Sequence, residues 1–166
     1  VSYARSKAAF DRVEFTAHTL RDVSKVDPSI EIFGRKVDLP ILFSPTGYTR
    51  FMYHVGEPAV ANAAASNNLI YSLSTMGTTS PKELADQVPK ARRWFQLYVM
   101  QNRKDSLSVI KQAKDSGFEA LILTVDTPVS GLRIRDIKNG LTIPPRIRLS
   151  TVFAIARKPI WWLNLF

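Results

Sequence analysis

The sequence predicts an α/β fold built around a parallel sheet. Four short apolar runs, at residues 39–44, 69–74, 94–99 and 120–125, are continuous rather than alternating, which is typical of strands buried on both faces. Ala-rich or amphipathic stretches separate these runs, and their spacing of roughly 25–30 residues matches βα units. A doubly wound sheet and a barrel of eight βα units both fit, because periodicity alone does not separate the two.

The stretches between the first three runs carry helix signals. Residues 56–67 are rich in alanine, which favours a helix. Before the third run, Ser80 is in position to cap a helix that has Pro81 as its first residue, and Glu83 is placed to complete a capping box. We therefore predict one helix in each of these stretches.

A third helix is predicted over residues 105–116. Leu107, Ile110 and Ala113 recur at helical spacing and would form its apolar face. Gly117 follows directly and is expected to cap the C-terminus of the helix. With this helix the predicted order becomes β-α-β-α-β-α-β.

The first part of the chain, residues 1–38, does not fit the βα repeat. It contains short β-like pieces at 12–15 and at 31–37, the second of them around the turn residue Gly34. We predict that this segment forms an N-terminal extension or a cap over the bottom of a barrel.

Composition limits the functional classes. The 166 residues are 45% hydrophobic and 22% charged, as expected for one globular domain. Cysteine is absent from the sequence, which excludes disulfides and thiolate metal sites. The usual nucleotide-phosphate motifs are absent too, and His18 and His54 have no partner at metal-ligand spacing. We therefore predict no metal site.

Polar residues cluster where the predicted strands end. In parallel α/β folds the chemistry lies at these carboxyl ends. Hydroxyl and carboxamide side chains offer both donors and acceptors, which suits a flat heterocycle such as a flavin or a purine. The alternative is that these groups only satisfy one another inside the fold. The residues are Ser44 and Thr46, Ser72 and Ser74, Gln96 and Tyr98, and Thr124.

Longer stretches around these residues form a recognisable set, in order from about residue 8 to 145. They include Ser44-Pro45-Thr46-Gly47, Gly56-Glu57, Leu73-Ser74-Thr75, Phe95-Gln96-Leu97-Tyr98, Thr124-Val125-Asp126-Thr127-Pro128 and Asp136-Ile137-Lys138-Asn139-Gly140. In these stretches the sequence resembles the FMN-dependent L-2-hydroxy-acid oxidase and dehydrogenase family, and flavin-type L-lactate dehydrogenases in particular. The resemblance implies a partial (β/α)8 TIM barrel, made of the first four βα units and an N-terminal extension.

The resemblance also implies roles for the strand-end residues. FMN is the implied cofactor, and two groups of side chains would contact it: Pro45, Thr46 and Gly47 beside the ring, and Ser74, Gln96 and Thr124 at its pyrimidine edge. Donors at that edge stabilise the negative charge that builds on a reduced flavin. Gly47 stands where many oxidases of the family carry alanine, which favours a dehydrogenase.

The implied reaction is the oxidation of a small L-2-hydroxy acid, with L-lactate preferred, to the 2-keto acid. Tyr98 and Arg133 would bind the substrate. The family's catalytic histidine belongs to a His-Gly-x-Arg motif that this sequence lacks, so no catalytic residue is assigned here. The sequence is expected to be the N-terminal half of such an enzyme and to be inactive alone.

The last segment is basic and aromatic. Residues 133–166 hold seven Lys or Arg against one acid, within a net charge of +9. We divide the chain into the extension 1–38, a half-barrel 39–145 and a basic loop 146–166. Cations beside Trp161 and Trp162 are typical of a membrane interface.

These features give a set of expectations about partners. The intact protein is expected to be a cytoplasmic homo-oligomer, peripheral on the inner face of the membrane, that passes electrons to quinone or another acceptor and binds no nucleic acid. The alternative, from a different functional class, is an inactive fragment that serves as a basic membrane-surface or other binding module.

Overall fold

The computed structural model describes residues 2–126 and 131–140, together with 152, 156–159 and 163. Its helices and strands, in chain order, are α1 (Ser2–Phe10), β1 (Ile30–Ile32), β2 (Arg35–Val37), β3 (Leu42–Thr46), α2 (Thr49–Met52), α3 (Glu57–Ser66), β4 (Ile70–Ser74), α4 (Pro81–Gln87), β5 (Arg92–Tyr98), α5 (Arg103–Asp115), β6 (Ala120–Thr124) and α6 (Ile134–Lys138). The four predicted strands correspond to β3 to β6.

These strands form one parallel sheet in the order β3-β4-β5-β6, so each strand pairs with the next in sequence. Helices α3, α4 and α5 contribute to one apolar cluster with a single face of the sheet. A doubly wound sheet would carry helices on both faces and reverse its strand order. The described residues therefore form part of a barrel wall. The strand residues in the cluster are Tyr71, Leu73, Phe95 and Leu97.

The opposite face of the sheet carries the polar side chains. Ser72 pairs in register with Trp94, and Ser74 pairs with Gln96. Ser72, Ser74 and Gln96 are all buried. In a closed barrel this face lines the interior, which places these hydroxyl and carboxamide groups inside the wall.

Helix α5 differs from its prediction at both the start and the apolar face. The helix begins two residues earlier, because the Asn102 side chain accepts a hydrogen bond from the Lys104 amide at 3.1 Å and caps it. Leu107, predicted on the apolar face, is 65% exposed, whereas Ala113 is buried as predicted. Ser106 is buried in the first turn instead, where its hydroxyl accepts from the Met100 amide at 2.9 Å.

The predicted capping box at α4 is only half formed. Ser80 caps the helix by accepting from the Glu83 amide at 3.2 Å. The Glu83 carboxylate accepts from Arg50 at 2.9 Å and from Gln87 at 3.1 Å. An ion pair with α2 therefore takes the place of the reciprocal bond to the cap.

The N-terminal segment contains a hairpin where a β-like piece was predicted at 31–37. Strands β1 and β2 pair antiparallel around Phe33 and Gly34, and both turn residues have positive φ, 52° and 71°, as a tight hairpin turn requires. The prediction of a β-like piece at 12–15 was wrong, since no strand forms there. Helix α1 lies before that segment. All residues of α1 are exposed, and a helix that buries no face shows no apolar periodicity in its sequence.

Candidate functional site

A chain of hydrogen bonds crosses the carboxyl ends of three adjacent strands. The Ser74 hydroxyl donates to Gln96 Oε1 at 3.0 Å, and Gln96 Nε2 donates to Thr124 Oγ1 at 2.6 Å. The Thr75 amide also donates to Gln96 Oε1, at 3.3 Å. A backbone N–H can only donate, so it fixes which end of the carboxamide is oxygen. Three predicted site residues are thus in direct contact.

These side chains retain hydrogen-bonding capacity beyond one another. The Gln96 amide has two N–H groups and uses one, on Thr124. The Thr124 hydroxyl accepts from Gln96, which leaves its own proton to donate; within residues 2–126 and 131–140 neither spare donor has an acceptor. These side chains therefore hydrogen-bond one another, as the alternative interpretation of the sequence expected. They can still donate to the carbonyl or imine edge of a heterocycle.

Thr75 joins the ends of β4 and β5, although no sequence pattern indicated a role for it. Its hydroxyl donates to the Gln96 carbonyl at 2.6 Å and accepts from the Tyr98 amide at 3.0 Å. Tyr98 lies on the same face as Gln96, two residues along the strand, and is 38% exposed. Its phenol is therefore accessible beside the buried carboxamide.

The end of β3 contacts the loop after β4 at Gly47. A Cβ on Gly47 would lie 2.9 Å from Met76 Cβ and 3.2 Å from the Met76 carbonyl oxygen, closer than side chains approach each other. The Tyr48 amide donates to that same carbonyl at 2.9 Å. Glycine at position 47 thus lets the two loops touch, and it places the predicted ring contacts Pro45 and Thr46 next to the β4 end.

A buried carboxylate lies behind this pair of loops. Glu57, the first residue of α3, is fully buried. It accepts from the Thr78 amide at 2.6 Å, from the Thr78 hydroxyl at 2.7 and 2.9 Å, and from the Thr79 hydroxyl at 2.7 Å. Burial raises the pKa of Glu57, but these hydrogen bonds outweigh it and hold the pKa below its ordinary value.

Sequence reasoning gave Glu57 no structural role. An acidic residue in the first turn of a helix is ordinary, because it complements the helix dipole. The informative signal lay in the pair of threonines at 78 and 79, which supply the donors from a loop more than twenty residues away. The sequence alone does not show that this pair meets the glutamate.

Arg133 stands apart from the strand-end cluster. It occupies the cap position before α6, its side chain is 84% exposed, and it forms a 3.8 Å ion pair with Asp136 on the same helix. Within the described part of the chain it contacts no strand-end residue. A role for Arg133 in substrate binding therefore stays a prediction.

A parallel sheet in sequential order, covered by helices on one face and lined with hydrogen-bonding groups at its carboxyl ends, defines the class of βα-barrel proteins that bind a ligand at that end. The chain belongs to the FMN-dependent dehydrogenase family, whose family model matches residues 1–166. The family and the barrel architecture implied by the sequence are thereby confirmed.

Individual relatives agree with this assignment. A Mycobacterium tuberculosis protein named "Putative L-lactate dehydrogenase" is 40% identical over 165 residues, which are 99% of this chain and 40% of that protein. The solved structure of a monotopic membrane protein, (S)-mandelate dehydrogenase, matches with a TM-score of 0.83 and 32% identity, over 95% of this chain and 42% of that one.

A mandelate oxidase variant solved with a C4a-OH-FMN adduct matches with a TM-score of 0.78 and 34% identity, over 94% of this chain and 50% of that one. The chain thus spans half or less of the length of the relatives named here. Among the described residues, no helix is both long and apolar enough to cross a membrane.

Proposed function

We propose that the full-length protein carrying this segment uses FMN to oxidise a small L-2-hydroxy acid to the 2-keto acid, with L-lactate as the preferred substrate. The observation that carries the proposal is the hydrogen-bonded chain Ser74–Gln96–Thr124 across three strand ends. Relatives named for lactate and mandelate support the substrate class.

The donor set fits the cofactor. When bound, FMN supplies the acceptor for the two electrons that leave the substrate. The spare N–H of Gln96 and the hydroxyl of Thr124 would donate to its pyrimidine edge, with Ser74 holding the carboxamide in place. Pro45, Thr46 and Gly47 would line the ring from the β3 end. Because Gln96 and Ser74 are buried, their dipoles are already oriented and need little rearrangement.

The substrate would lie beside Tyr98. Its accessible phenol can donate to a carboxylate or hydroxyl, and Arg133 would supply the positive charge that a carboxylate needs. No proton acceptor is assigned among the residues that the structure describes: His18 is exposed, and the ring centroids of His54 and Tyr53 lie 4.7 Å apart. The proposal places the catalytic base in the remainder of the full-length enzyme.

Substituting Gln96→Leu in the full-length protein tests the cofactor assignment. Leucine keeps the bulk but removes the donor and acceptor, so we expect FMN to dissociate roughly 10–100-fold more readily, as for the loss of one or two buried hydrogen bonds. Fluorescence titration of the apoprotein with FMN measures this. Gln112→Leu, an exposed change on α5, is the control. Equal FMN affinity in wild type and Gln96→Leu would refute the assigned role.

A further inference from the structure

The loop after β4, residues 75–80, contacts the ends of both β3 and β5 in the proposed flavin site; we name it the β4 loop. We propose that Glu57 is a positioning residue for that site: its buried carboxylate fixes the β4 loop, and through it the flavin-contacting ends of β3 and β5. The inference rests on the proposed function and assigns Glu57 a role within it.

Glu57 restrains the loop with both of its oxygens. Oε1 accepts from the Thr78 amide at 2.6 Å, and Oε2 accepts from the Thr78 and Thr79 hydroxyls, each at 2.7 Å. None of the cations in the described ranges forms an ion pair with it. A buried charge that depends on neutral donors is costly to leave unsatisfied, so any movement of the loop away from Glu57 is strongly opposed.

The surrounding glycines let the loop reach the carboxylate. A Cβ on Gly77 would lie 2.9 Å from the Ser74 carbonyl oxygen and 3.4 Å from Glu57 Oε1. Gly56, which precedes Glu57, has φ 66°, and a Cβ there would lie 2.5 Å from Cγ of Arg50. A side chain at Gly77 would push the β4 loop away from Glu57, and one at Gly56 would push the start of α3 away from Arg50.

The restraint passes to the flavin-contacting residues through direct contacts. Thr75, at the start of the loop, donates its hydroxyl to the Gln96 carbonyl at 2.6 Å. Met76 packs on Gly47 and accepts from the Tyr48 amide at 2.9 Å. Thr75 and Met76 therefore fix the ends of β5 and β3 relative to the loop that Glu57 holds.

A second contact leads to the helix that follows the β3 end. The Thr78 hydroxyl, which donates to Glu57, accepts from the Arg50 amide of α2 at 3.2 Å. The Arg50 side chain then reaches Glu83 on α4, at 2.9 Å. Glu57 thus joins both loops that border the proposed ring site, and its carboxylate is fully buried behind them.

Stability alone does not require a carboxylate here. Well-packed neutral groups often serve a buried position as well as a charge or better. What the carboxylate adds is geometry, because two oxygens that only accept must keep all their donors in place. Loss of the charge should therefore disturb the flavin site more than the fold.

The first test compares Glu57→Gln with Glu83→Gln in the full-length holoenzyme. The Glu83 carboxylate also bonds Arg50, but it is 37% exposed and makes no hydrogen bond to the β4 loop among the described residues. The Glu83 contact with Ser80 is made by its backbone amide, which the substitution keeps, so Glu83→Gln is a matched control. For Glu57→Gln we expect native far-UV circular dichroism, an FMN dissociation constant raised about tenfold, and an altered visible circular dichroism spectrum of bound flavin. Glu83→Gln should match wild type.

A second pair of variants keeps the test decisive if Glu57→Gln fails to fold. Thr79→Val removes one donor to Glu57 without changing the shape, and Thr79→Ser restores it. We expect Thr79→Val to weaken FMN binding about threefold to tenfold and to alter the visible spectrum, with Thr79→Ser close to wild type.

Two outcomes separate the claims. Wild-type FMN affinity and spectra in Glu57→Gln, or in Thr79→Val where Glu57→Gln does not fold, would overturn the positioning role, even if Gln96→Leu still loses FMN. A wild-type protein that does not bind FMN at all would instead overturn the proposed function itself.

Discussion

At the scale of single residues, Gly47 shows how the absence of one carbon positions a site. A Cβ there would lie 2.9 Å from Met76 Cβ, so the loops after β3 and β4 could not remain in contact. By the family resemblance, this glycine favours a dehydrogenase over an oxidase. The structure adds a steric reason for it: the position next to the proposed ring site has no room for a side chain.

Gly47→Ala in the full-length protein should therefore move the β4 loop. We expect a loss of about 1–3 kcal/mol in the free energy of unfolding, the usual cost of overpacking, together with weaker FMN binding. Urea denaturation and FMN titration measure both. Gly131→Ala is the control, since a Cβ there meets nothing within 4 Å. Unchanged stability and affinity in Gly47→Ala would show that the loops separate freely.

The site was only partly predictable from the sequence. Contact among Ser74, Gln96 and Thr124 was predictable because strand geometry places them at neighbouring strand ends, and the structure brings them together. Their role in binding FMN stays a prediction. Glu57 and Thr75 could not be assigned, because their contacts depend on how the β4 loop folds back. Loop conformation of this kind follows from tertiary contacts rather than from local pattern.

At the scale of elements, the β1–β2 hairpin is joined to the amino-terminal ends of β5 and β6 by one buried ion pair. Arg92 is buried at the start of β5 and donates to the Glu119 carboxylate at 2.8 and 3.0 Å and to the Ile32 carbonyl at 3.0 Å. Arg35 of β2 contacts the same carboxylate. The hairpin thus covers the end of the sheet opposite the proposed site.

The Glu119 carboxylate makes this contact sensitive to acid. Burial raises the pKa of Glu119, but the hydrogen bond and charge of Arg92, with the charge of Arg35, hold the pKa below its ordinary value. Because the folded pKa is depressed, the stabilisation is complete above the ordinary carboxyl range. It is lost as the pH falls through the folded pKa.

Glu119→Gln should cost about 3 kcal/mol of the free energy of unfolding at neutral pH, because Arg92 remains buried without its counter-charge. The cost should shrink as the pH falls, since wild type loses the same interaction. Urea denaturation from pH 7 to pH 3 measures this, with the exposed hairpin change Glu31→Gln as control. A cost that stays constant across that range would contradict the assigned pKa direction.

Element prediction succeeded where a physical signal was local. Continuous apolar runs predicted the four strands, and alanine content predicted the helix at 57–66. Gly34 itself indicated the turn between β1 and β2. The apolar face of α5 was misplaced at Leu107 because helical spacing alone does not show which side meets the sheet. The sheet face that receives the helices was decided by strand order and twist, which no local pattern contains.

At the scale of the whole molecule, β6 carries apolar side chains that the described residues leave exposed. Leu121 and Leu123 pair in register with Phe95 and Leu97, so they lie on the helix-bearing face. Yet they are 47% and 50% exposed. A barrel wall needs a helix over each strand. The described residues thus form the ligand-binding end of β3 to β6, but they do not cover the helix-bearing face of β6.

The basic segment 146–166 is the part of the chain expected to contact a membrane. Most of it lies outside the described residues. Its composition places cations beside Trp161 and Trp162, and the chain resembles the structure of a monotopic membrane dehydrogenase. We propose that this segment holds the intact protein on the inner face of the membrane.

Co-sedimentation of the full-length protein with vesicles of anionic lipid tests this. Each cation near such a surface contributes about 1 kcal/mol, so neutralising four of them should weaken binding on the order of 1,000-fold. The variant changes Arg146, Arg148, Arg157 and Lys158 to Gln. The matched control makes the same charge change on the exposed surface of α5, at Arg103, Lys104, Lys111 and Lys114. Equal losses in both variants would indicate a general effect of net charge. Binding lost only with the tail variant would locate the membrane contact in 146–166, and no binding of the wild type would refute it.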